Sequence, residues 1–557
     1  MLKKANKLTI GTLFYLALNA CAIASNANSG THQAEQNKAR QEALTPKNQN
    51  YTSNIISTSR QKIIFPDEKE CKYIQHIRIE SEDNELTNKL LGKIIKQAIN
   101  RCMGVAGIRL LGQTLQDELI TRGYVTSLID IPTQSLESGI LTFDLNYGKI
   151  GKIAWEDNNT NKTSLFNVFP TSEGDILKLP DLEQGMANLQ YVPGSAAHMQ
   201  IFPGHNLNES DLILTRKADK NWQISGWLDD AGSRYSGRYQ GGAALYLYNL
   251  ATLNDILYIA GGGDVELNQH NDGNKNTSIY YSLPFGYWSL SLYGAYSRYL
   301  QQIRGNWSTT DYVSKNKYHS VTLSRLLSHT KEQKTSLEAR IFKSSSHYFF
   351  GGSELEVMRK QNPGWELSLR HQHYFNTKTV EASLGLQNRL PWLSSSATPE
   401  QKAGLYSKHA RVIHADLQSR MKFSLTGDKF TWAPRINAQF SPDNLSSDNM
   451  MNIGNRWTVR GFDGERTLSS SQGGFWRNDF IWDLLSSSQQ FYVGADIAKI
   501  IGKDKYQKGK VLSGAVSGLR GEIMATQYDF FIGTPLIKPD DFHTDAINMG
   551  FLMQWRF

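Results

Sequence analysis

Hydrophobic and polar residues alternate with a period of two over most of the chain from about residue 221 to residue 557. Side chains of a β-strand point alternately to opposite faces, so this pattern predicts strands that each have one apolar face. The last segment is the clearest case, because apolar residues occupy every second position and mostly polar or small residues lie between them. The apolar series is Ile547, Met549, Phe551, Met553, Trp555 and Phe557.

No stretch beyond residue 30 contains the roughly 18–20 consecutive apolar residues that a membrane-spanning helix needs. Two all-β architectures remain, a soluble sandwich and a membrane β-barrel, and the 23 Phe, 25 Tyr and 12 Trp suit both. The aromatic end of the last strand, Phe557, favours the barrel. Roughly 20 residues per strand and turn give about 16 or 17 strands over residues 218–557. Because bacterial barrels have even numbers, we predict a closed membrane β-barrel of about 16 antiparallel strands.

Two compact α/β modules are predicted in front of the barrel, at residues 62–148 and 149–217. In each, a strand is followed by two helices and two further strands. The clean alternation of Leu141, Phe143 and Leu145 marks the last strand of the first module. A repeated pair of small modules before a large β region indicates periplasmic domains attached to a barrel.

Residues 1–24 are predicted to be a secretory signal peptide. Three lysines precede an apolar run over residues 8–18, and residues 22–24 offer a small-x-small cleavage site. The sequence around Cys21 also resembles a lipoprotein box, in which Asn19 is an unusual residue. Cleavage after Ala24 and lipidation of Cys21 are therefore the two alternatives.

The following segment, residues 25–61, is polar and contains a predicted helix over residues 31–44. That stretch has good helix formers and no internal Gly or Pro. The helix has almost no apolar face, so it gains little from a hydrophobic core. It is expected to be either a solvated linker or a helix that lies in a wet, polar cavity.

A disulfide between Cys71 and Cys102 is predicted within the first module. If Cys21 leaves with the signal peptide, these two cysteines are an even pair in an exported protein. Such a bond is worth roughly 3–4 kcal/mol for a loop of this length. A metal site would need more ligands at tighter spacing.

An arginine in a long polar loop provides the candidate functional site. Arg460 lies in residues 441–474, between strands of membrane type, and needs a counter-charge. In the strand at residues 491–497 the apolar residues share one face and Asp496 lies on the other. If the apolar face meets lipid, Asp496 points into the lumen, where an inserted loop would bring Arg460 to it. The alternative is that both are separately solvated charges in a wet channel.

Composition and other motifs add little chemistry. The net charge of +8 indicates at most a weak attraction to anionic lipid headgroups or an acidic partner, and no nucleic-acid motif is present. The sequence has neither a phosphate-binding G-x-x-x-x-G-K-[ST] loop nor a G-x-S-x-G nucleophile turn. His371 and His373 share one strand face, but no third ligand stands at a convincing spacing. We expect an ordinary pair facing the lumen, and we predict no metal site, no cofactor and no enzyme activity.

A set of short motifs, given at the end of this paragraph, resembles those of one known family, the outer-membrane transporters of two-partner secretion in the Omp85 superfamily. The resemblance covers nearly the whole chain. Two positions depart from the usual pattern, since Tyr492 stands where Phe is common and Ala498 where Gly is common. The resembling segments are residues 65–66 with Cys71, 122–126, 132–136 with Gly139, 174–177, 181–184, 203–204, 229–232, 236–237, 254–255, the loop-6 motif Val459, Arg460, Gly461 and Phe462, and the strand motif 492–496 with Gly494 and Asp496.

The resemblance implies a 16-stranded barrel in the Gram-negative outer membrane, preceded by two periplasmic POTRA domains and an N-terminal helix that plugs the pore. It also implies that loop 6, residues 441–474, folds into the lumen. The implied function is export of an unfolded, large exoprotein, such as an adhesin, a haemolysin or a contact-dependent inhibition toxin. The implied partners are that exoprotein, through its N-terminal secretion domain, the outer-membrane lipid and the barrel assembly machinery. The assembly machinery would recognise Phe551, Trp555 and Phe557 in the last strand. The chain is expected to be a monomer.

The alternative within the superfamily is an insertase that assembles other outer-membrane proteins. Insertases usually have more POTRA domains than the two predicted here. A passive porin, from a different class, would not need POTRA-like repeats at all.

Overall fold

The computed structural model describes residues 40–45, 63–156, 163–234, 237–265, 273–304, 309–393, 397–484, 488–502 and 510–557. The predicted signal peptide lies outside these residues, as does most of the predicted plug helix and its linker. Residues 40–44 are helical. In the described part of the chain, no helix is long and apolar enough to cross a membrane.

The first α/β module has two helices packed on a three-stranded sheet with the order β2–β5–β4. Alternate residues of β5 are buried, as their pattern predicts, and pack against the apolar faces of both helices. The predicted first strand is divided at Gln75, because the N–H groups of Gln75 and His76 donate to the carbonyl of Gly139. The elements are β1 Lys72–Ile74, β2 His76–Ser81, α1 Asn84–Ala98, β3 Arg101–Met103, α2 Val105–Thr121, β4 Leu128–Asp130 and β5 Ile140–Asn146.

Within its described residues, the second module has one helix on a three-stranded sheet, and residues 163–178 form turns. The prediction of two helices here is wrong. Val168 and Phe169 are buried in the module core, while the side chain of Asn167 donates to backbone carbonyls of the barrel. In this turn the apolar side chains are buried and the polar side chain is hydrogen-bonded, so the segment is stable without forming a helix. The elements are β6 Lys149–Trp155, α3 Leu179–Leu189, β7 Ser195–Pro203 and β8 Glu209–Ala218, in the sheet order β6–β8–β7.

A closed antiparallel barrel follows, and the prediction of 16 strands is confirmed. A short extra strand, β16 Ser353–Glu354, extends the hairpin after β15. The barrel strands are β9 Trp222–Asp229, β10 Gln240–Tyr248, β11 Ile256–Asp264, β12 Gly273–Phe285, β13 Trp288–Arg304, β14 Thr309–His329, β15 Gln333–Phe350, β17 Lys360–Tyr374, β18 Lys378–Arg389, β19 Arg411–Leu425, β20 Asp428–Phe440, β23 Gln472–Asp483, β24 Gln490–Ile501, β25 Val511–Ile523, β26 Thr526–Ile537 and β27 Asn548–Arg556.

The barrel closes where its first and last strands meet. β9 and β27 pair from Leu552 opposite Asp229 to Arg556 opposite Ser225. Side chains alternate around the wall as predicted, with apolar residues such as Ile224 and Leu245 exposed on the outer face. Loop 6 leaves β20 and returns to β23 through the hairpin β21 Met451–Ile453 and β22 Leu468–Ser470. The remaining short elements are α4 Pro399–Lys402 and the 3-10 turns Glu356–Met358, Pro391–Leu393 and Ser447–Asn449.

Candidate functional site

Loop 6 is held inside the barrel by its apolar residues and by ion pairs. Val459 and Phe462 are buried in one cluster with the lumen-facing side chains of Ile500 and Leu512. Phe462 also meets the ring of Phe542, from the last extracellular loop, edge to face at 5.6 Å between centroids. The apolar positions of the motif therefore fix the loop tip against strands β24 and β25.

Arg460 and Asp496 are in direct contact at the centre of this site. The guanidinium donates from Nε to Oδ2 and from Nη2 to Oδ1 of Asp496, each at 2.8 Å. The backbone N–H of Arg460 donates to the same Oδ2 at 2.9 Å. Asp496 is 1% exposed and Arg460 is 6% exposed. Charge-assisted, two-point hydrogen bonds of this kind are directional and strong where water is excluded.

Glycines let the loop tip lie directly on the wall. Gly461 has φ of +98°, a conformation that side chains of L-residues rarely adopt, and a Cβ there would lie 2.4 Å from the carbonyl oxygen of Thr534. A Cβ on Gly494 would lie 2.6 Å from Nη2 of Arg460. The glycines of both motifs are therefore needed for the close approach of the arginine to the strand.

Two further charged residues of β23 belong to this site and were not predicted from the sequence. Nη2 of Arg460 forms a second ion pair with Asp479, at 2.5 Å from Oδ1. Arg477 lies 4.0 Å from Asp496 and donates to the backbone carbonyls of Arg456 and Trp457. The cluster thus has two arginines and two aspartates. Asp479 stands directly opposite Gly494, so only the strand register could have revealed it.

A second set of contacts ties loop 6 to the place where β9 and β27 meet. Arg456 donates to the carboxylate of Asp230 at 2.6 Å. Further along the loop, Glu465 accepts from the hydroxyl of Ser233 at 2.9 Å and from the backbone N–H of Arg234 at 2.7 Å. Loop 6 therefore spans the lumen from the β23–β24 wall to the first extracellular loop.

The described end of the N-terminal helix also lies in the lumen. Leu44 is buried among ring side chains of β10 to β12, and its carbonyl accepts from the hydroxyl of Tyr246 at 2.9 Å. The guanidinium of Arg40 lies 5.2 Å from the ring centre of Trp227 and 3.8 Å from a carboxylate oxygen of Asp229. Residues 40–44 are therefore packed in the lumen, and the rest of the predicted helix lies outside the described residues.

The second module is fixed to the periplasmic mouth of the barrel. Asn188, at the end of α3, donates to the carbonyls of Val168 at 2.6 Å and Gly286 at 2.8 Å, the latter in the turn between β12 and β13. Arg216 of β8 donates to Asn254 in the first periplasmic turn, also at 2.8 Å. All of these side chains are nearly or fully buried. The module and the barrel mouth therefore share a hydrogen-bonded interface.

The remaining predicted residues lie apart from this site. Cys71 and Cys102 form a disulfide that joins the residue before β1 to the middle of β3. Phe551 and Trp555 lie on the outer face of β27, and Phe557 follows as the exposed last residue. Trp555 lies over Gly226 of β9, where a Cβ would approach its Nε1 to 2.3 Å.

His371 and His373 face the membrane side of the barrel, so the expectation that they face the lumen is wrong. They share the face of β17 with Leu367 and Leu369, which are exposed on the outer surface. The apolar positions Leu367 and Leu369 set the phase of the strand, and continuing their alternation places both histidines on the outer face. Within the residues that the structure describes, no three His, Cys, Asp or Glu side chains converge to hold a metal ion.

Comparison with known proteins gives three matching family profiles. Residues 208–521 match the haemolysin secretion/activation protein family ShlB/FhaC/HecB, residues 73–148 match the ShlB-type POTRA domain, and residues 149–203 match a POTRA domain. The two small modules are therefore POTRA domains. A barrel with two POTRA domains and relatives of this kind is an outer-membrane protein whose POTRA domains lie in the periplasm.

Individual relatives cover most of the chain. The chain is 29% identical to the outer membrane transporter CdiB-2 of Burkholderia pseudomallei over 82% of its own length and 79% of that protein. It is 24% identical to the haemolysin transporter HpmB of Proteus mirabilis over 82% of its length and 80% of that protein. The solved structure of CdiB from Acinetobacter baumannii matches with a TM-score of 0.82 and 25% identity, over 95% of this chain and 99% of that one. The chain belongs to the ShlB/FhaC/HecB family of haemolysin secretion/activation proteins.

Proposed function

We propose that this protein is an outer-membrane pore that recognises one large, unfolded exoprotein in the periplasm and exports it by two-partner secretion. Relatives that are named as transporters, of the CdiB and haemolysin types, support this function. Their names favour an adhesin, a haemolysin or a contact-dependent inhibition toxin as the class of cargo. The insertase alternative has less support, because these relatives are transporters.

The observation that carries the proposal is the position of the second POTRA domain on the mouth of an occupied barrel. Asn188 and Arg216 hold the domain against the first two periplasmic turns. Leu44 and loop 6 occupy the lumen behind that mouth. A polypeptide bound by the domain would thus be delivered directly to a pore that the chain itself keeps closed.

We infer that the exoprotein adds a strand to β7 of the second POTRA domain. β7 pairs with β8 along one edge, and within the described residues no strand pairs with its other edge. Ile201 and Phe202 of β7 are 42% and 48% exposed, so apolar side chains are available beside that edge. Backbone hydrogen bonds would then supply affinity with little dependence on the cargo sequence.

Transport by this route would need no nucleotide. The chain has no phosphate-binding loop of the G-x-x-x-x-G-K-[ST] type. Folding of the exoprotein on the cell surface would prevent its return and give the movement a direction. We propose that the chain is a transporter without enzyme activity and acts as a monomer. The outward aromatic residues Phe551, Trp555 and Phe557 would be read by the barrel assembly machinery during insertion.

The proposed role of Arg460 and Asp496 is to hold loop 6 in its working position. Removal of one partner leaves the other charge buried without its partner, which typically costs about 3–5 kcal/mol. We therefore expect Arg460→Ala and Asp496→Ala to lower secretion of the cognate exoprotein roughly ten-fold or more, with normal amounts of folded barrel in the outer membrane. Secretion is measured as exoprotein in the culture medium, and folding as heat-dependent gel mobility.

The matched control is Arg340→Ala. Arg340 and Glu366 form a lumen ion pair of 2.5 Å between β15 and β17. On β17, Glu366 lies four residues beyond Asn362, which contacts Ser446 of loop 6. This control should secrete nearly as well as the unmodified protein. Normal secretion by both Arg460→Ala and Asp496→Ala would contradict the proposed role of the clamp.

A further inference from the structure

Six consecutive barrel strands, β10 to β15, each contribute one aromatic ring to a continuous row in the lumen. Four of the rings stand directly opposite one another in the strand register, and two continue the row. Ring centroids of neighbours lie 5.5, 5.1, 6.0 and 6.3 Å apart for four of the five steps. We name this row the aromatic ramp, and it consists of Tyr246, Tyr258, Tyr280, Tyr293, Tyr318 and Phe342.

The ramp climbs the wall from the periplasmic mouth towards the middle of the barrel. Tyr246 lies two residues before the end of β10 at Tyr248, next to the turn that contacts the second POTRA domain. Phe342 lies nine residues after the start of β15 at Gln333, which follows another periplasmic turn. At about 4.8 Å between neighbouring strands, the five steps cover roughly 24 Å.

The foot of the ramp touches both the chain's own helix end and the second POTRA domain. Leu44 belongs to one buried cluster with Tyr246, Tyr258 and Tyr280, and so does Val192 of the POTRA domain. The neighbouring hydroxyl of Tyr191 lies 2.6 Å from Ser282 of β12. Strand β7, the edge proposed above to receive the exoprotein, begins only three residues after Val192.

We propose that the aromatic ramp is the surface on which the unfolded exoprotein travels through the pore, and that the helix end occupies this surface in the closed state. The inference rests on the proposed function and adds the binding site within the lumen. The ligand is an extended polypeptide with aliphatic and cationic side chains. The helix end shows this chemistry, because Leu44 packs on the rings and Arg40 lies over Trp227 at the start of the row.

The ring surface suits passage as well as binding. Aromatic faces attract aliphatic side chains and cations with little demand for one geometry, and tyrosine loses little conformational freedom on contact. Several weak contacts in series let a polymer enter without becoming trapped at any one of them. The opposite part of the wall, with Arg460, Asp479 and Asp496, is charged and already covered by loop 6.

The test uses the full-length protein in planar bilayers with a synthetic, unstructured peptide rich in Leu, Arg, Gly and Ser. Leu44→Asp places a carboxylate against the rings and should raise the fraction of time that the pore is open. In this background the peptide should block the current for measurable times. Tyr258→Ser with Tyr280→Ser should shorten each block roughly five-fold or more, whereas Tyr258→Phe with Tyr280→Phe should preserve it.

Tyr296→Ser is the matched control, because Tyr296 lies on the outer face of β13 and is 38% exposed there. If the double serine variant does not fold, single Tyr258→Leu and Tyr280→Leu variants retain apolar volume and should still shorten the block. Two results would overturn the proposal. One is a Leu44→Asp pore that stays closed, and the other is an equal block time in that pore with and without the rings of Tyr258 and Tyr280. A chain that fails to secrete its exoprotein but shows ring-dependent block would contradict the proposed function and support the ramp.

Discussion

Arg460 satisfies a carboxylate through three hydrogen bonds at once, two from its guanidinium and one from its own backbone N–H. This arrangement fixes both the side chain and the loop that carries it. The pairing with Asp496 could be predicted, because strand alternation and two sequence motifs pointed to it independently. The contact with Asp479 could not be predicted, because it depends on which residue of β23 stands opposite Gly494. Cross-strand register is a property of the folded sheet.

A second residue with strong local consequences is Glu68 in the first POTRA domain. Its carboxylate accepts from the backbone N–H groups of Gly104, Ala106 and Gly107 at the start of helix α2, at 2.8 to 2.9 Å. Partial burial alone would raise the pKa of Glu68, but the three N–H donors outweigh this effect and lower the pKa below its ordinary value. Glu68 therefore acts as a cap that comes from a distant segment.

This cap predicts a pH dependence for the stability of α2. Because the pKa is lower in the folded state, the stabilisation is present above the ordinary glutamate pKa and is lost as the pH falls through the lower, folded-state pKa. The protection factors of the first turn of α2, which compare the measured exchange rate with the intrinsic rate at the same pH, should fall in the intact protein when the medium is acidified over this range. In Glu68→Gln these protection factors should be lower at neutral pH and should change less with acid.

Glu70→Gln is a suitable control, since Glu70 is an exposed neighbour on the same segment. Equal acid sensitivity of the first turn in the unmodified protein and in Glu68→Gln would show that the carboxylate does not cap the helix.

At the scale of elements, period-two alternation predicted the strands and the faces of the barrel well. The reason is that every strand in lipid needs an apolar outer face and paired backbone groups. Elements with weaker constraints were predicted less well. The turn around Asn167 replaces a predicted helix, because contacts with the barrel satisfy its polar groups. His371 and His373 were assigned to the wrong face, because their polarity was given more weight than the alternation that Leu367 and Leu369 begin.

We make one prediction about the junction of β9 and β27. Gly226 leaves room for the ring of Trp555, which would otherwise lie 2.3 Å from a Cβ. Gly226→Ala should force this ring to move and destabilise the barrel by about 1–3 kcal/mol, as overpacking does elsewhere. The measurement is the temperature at which the barrel loses its folded gel mobility.

Gly261→Ala provides the control for this change. Gly261 lies on the outer face of β11, where a new Cβ meets only Thr277, at 3.8 Å. If the two alanine variants unfold at the same temperature, the packing of Trp555 does not hold the first and last strands together.

For the whole molecule, the main feature is that the second POTRA domain and the barrel mouth share buried hydrogen bonds. Asn188→Ala removes the donors to Val168 and Gly286 and leaves two buried carbonyls with one fewer partner each. We expect wider distance distributions between spin labels on this domain and on the barrel, and a several-fold loss of secretion, because each lost contact costs about 1–3 kcal/mol.

The corresponding control is Asn206→Ala, in an exposed turn of the same domain where Asn206 contacts Glu209. Narrow, unchanged distance distributions in Asn188→Ala would mean that other contacts fix the domain to the mouth. The relative position of domain and barrel could not be predicted from sequence patterns, since it depends on contacts that form only in the folded chain, such as the hydrogen bond that the side chain of Asn254 donates to the backbone carbonyl of Asn188.

Two neighbouring acids at the end of β9 serve different occupants of the lumen. Asp229 pairs with Arg40 of the N-terminal helix, and Asp230 pairs with Arg456 of loop 6. If the helix end left the lumen, Asp229 would lose its cation while Asp230 would keep its own. The vacated channel would then present a negative site beside the first strand, so each opening would give the conduit a preference for cations that its sealed form lacks.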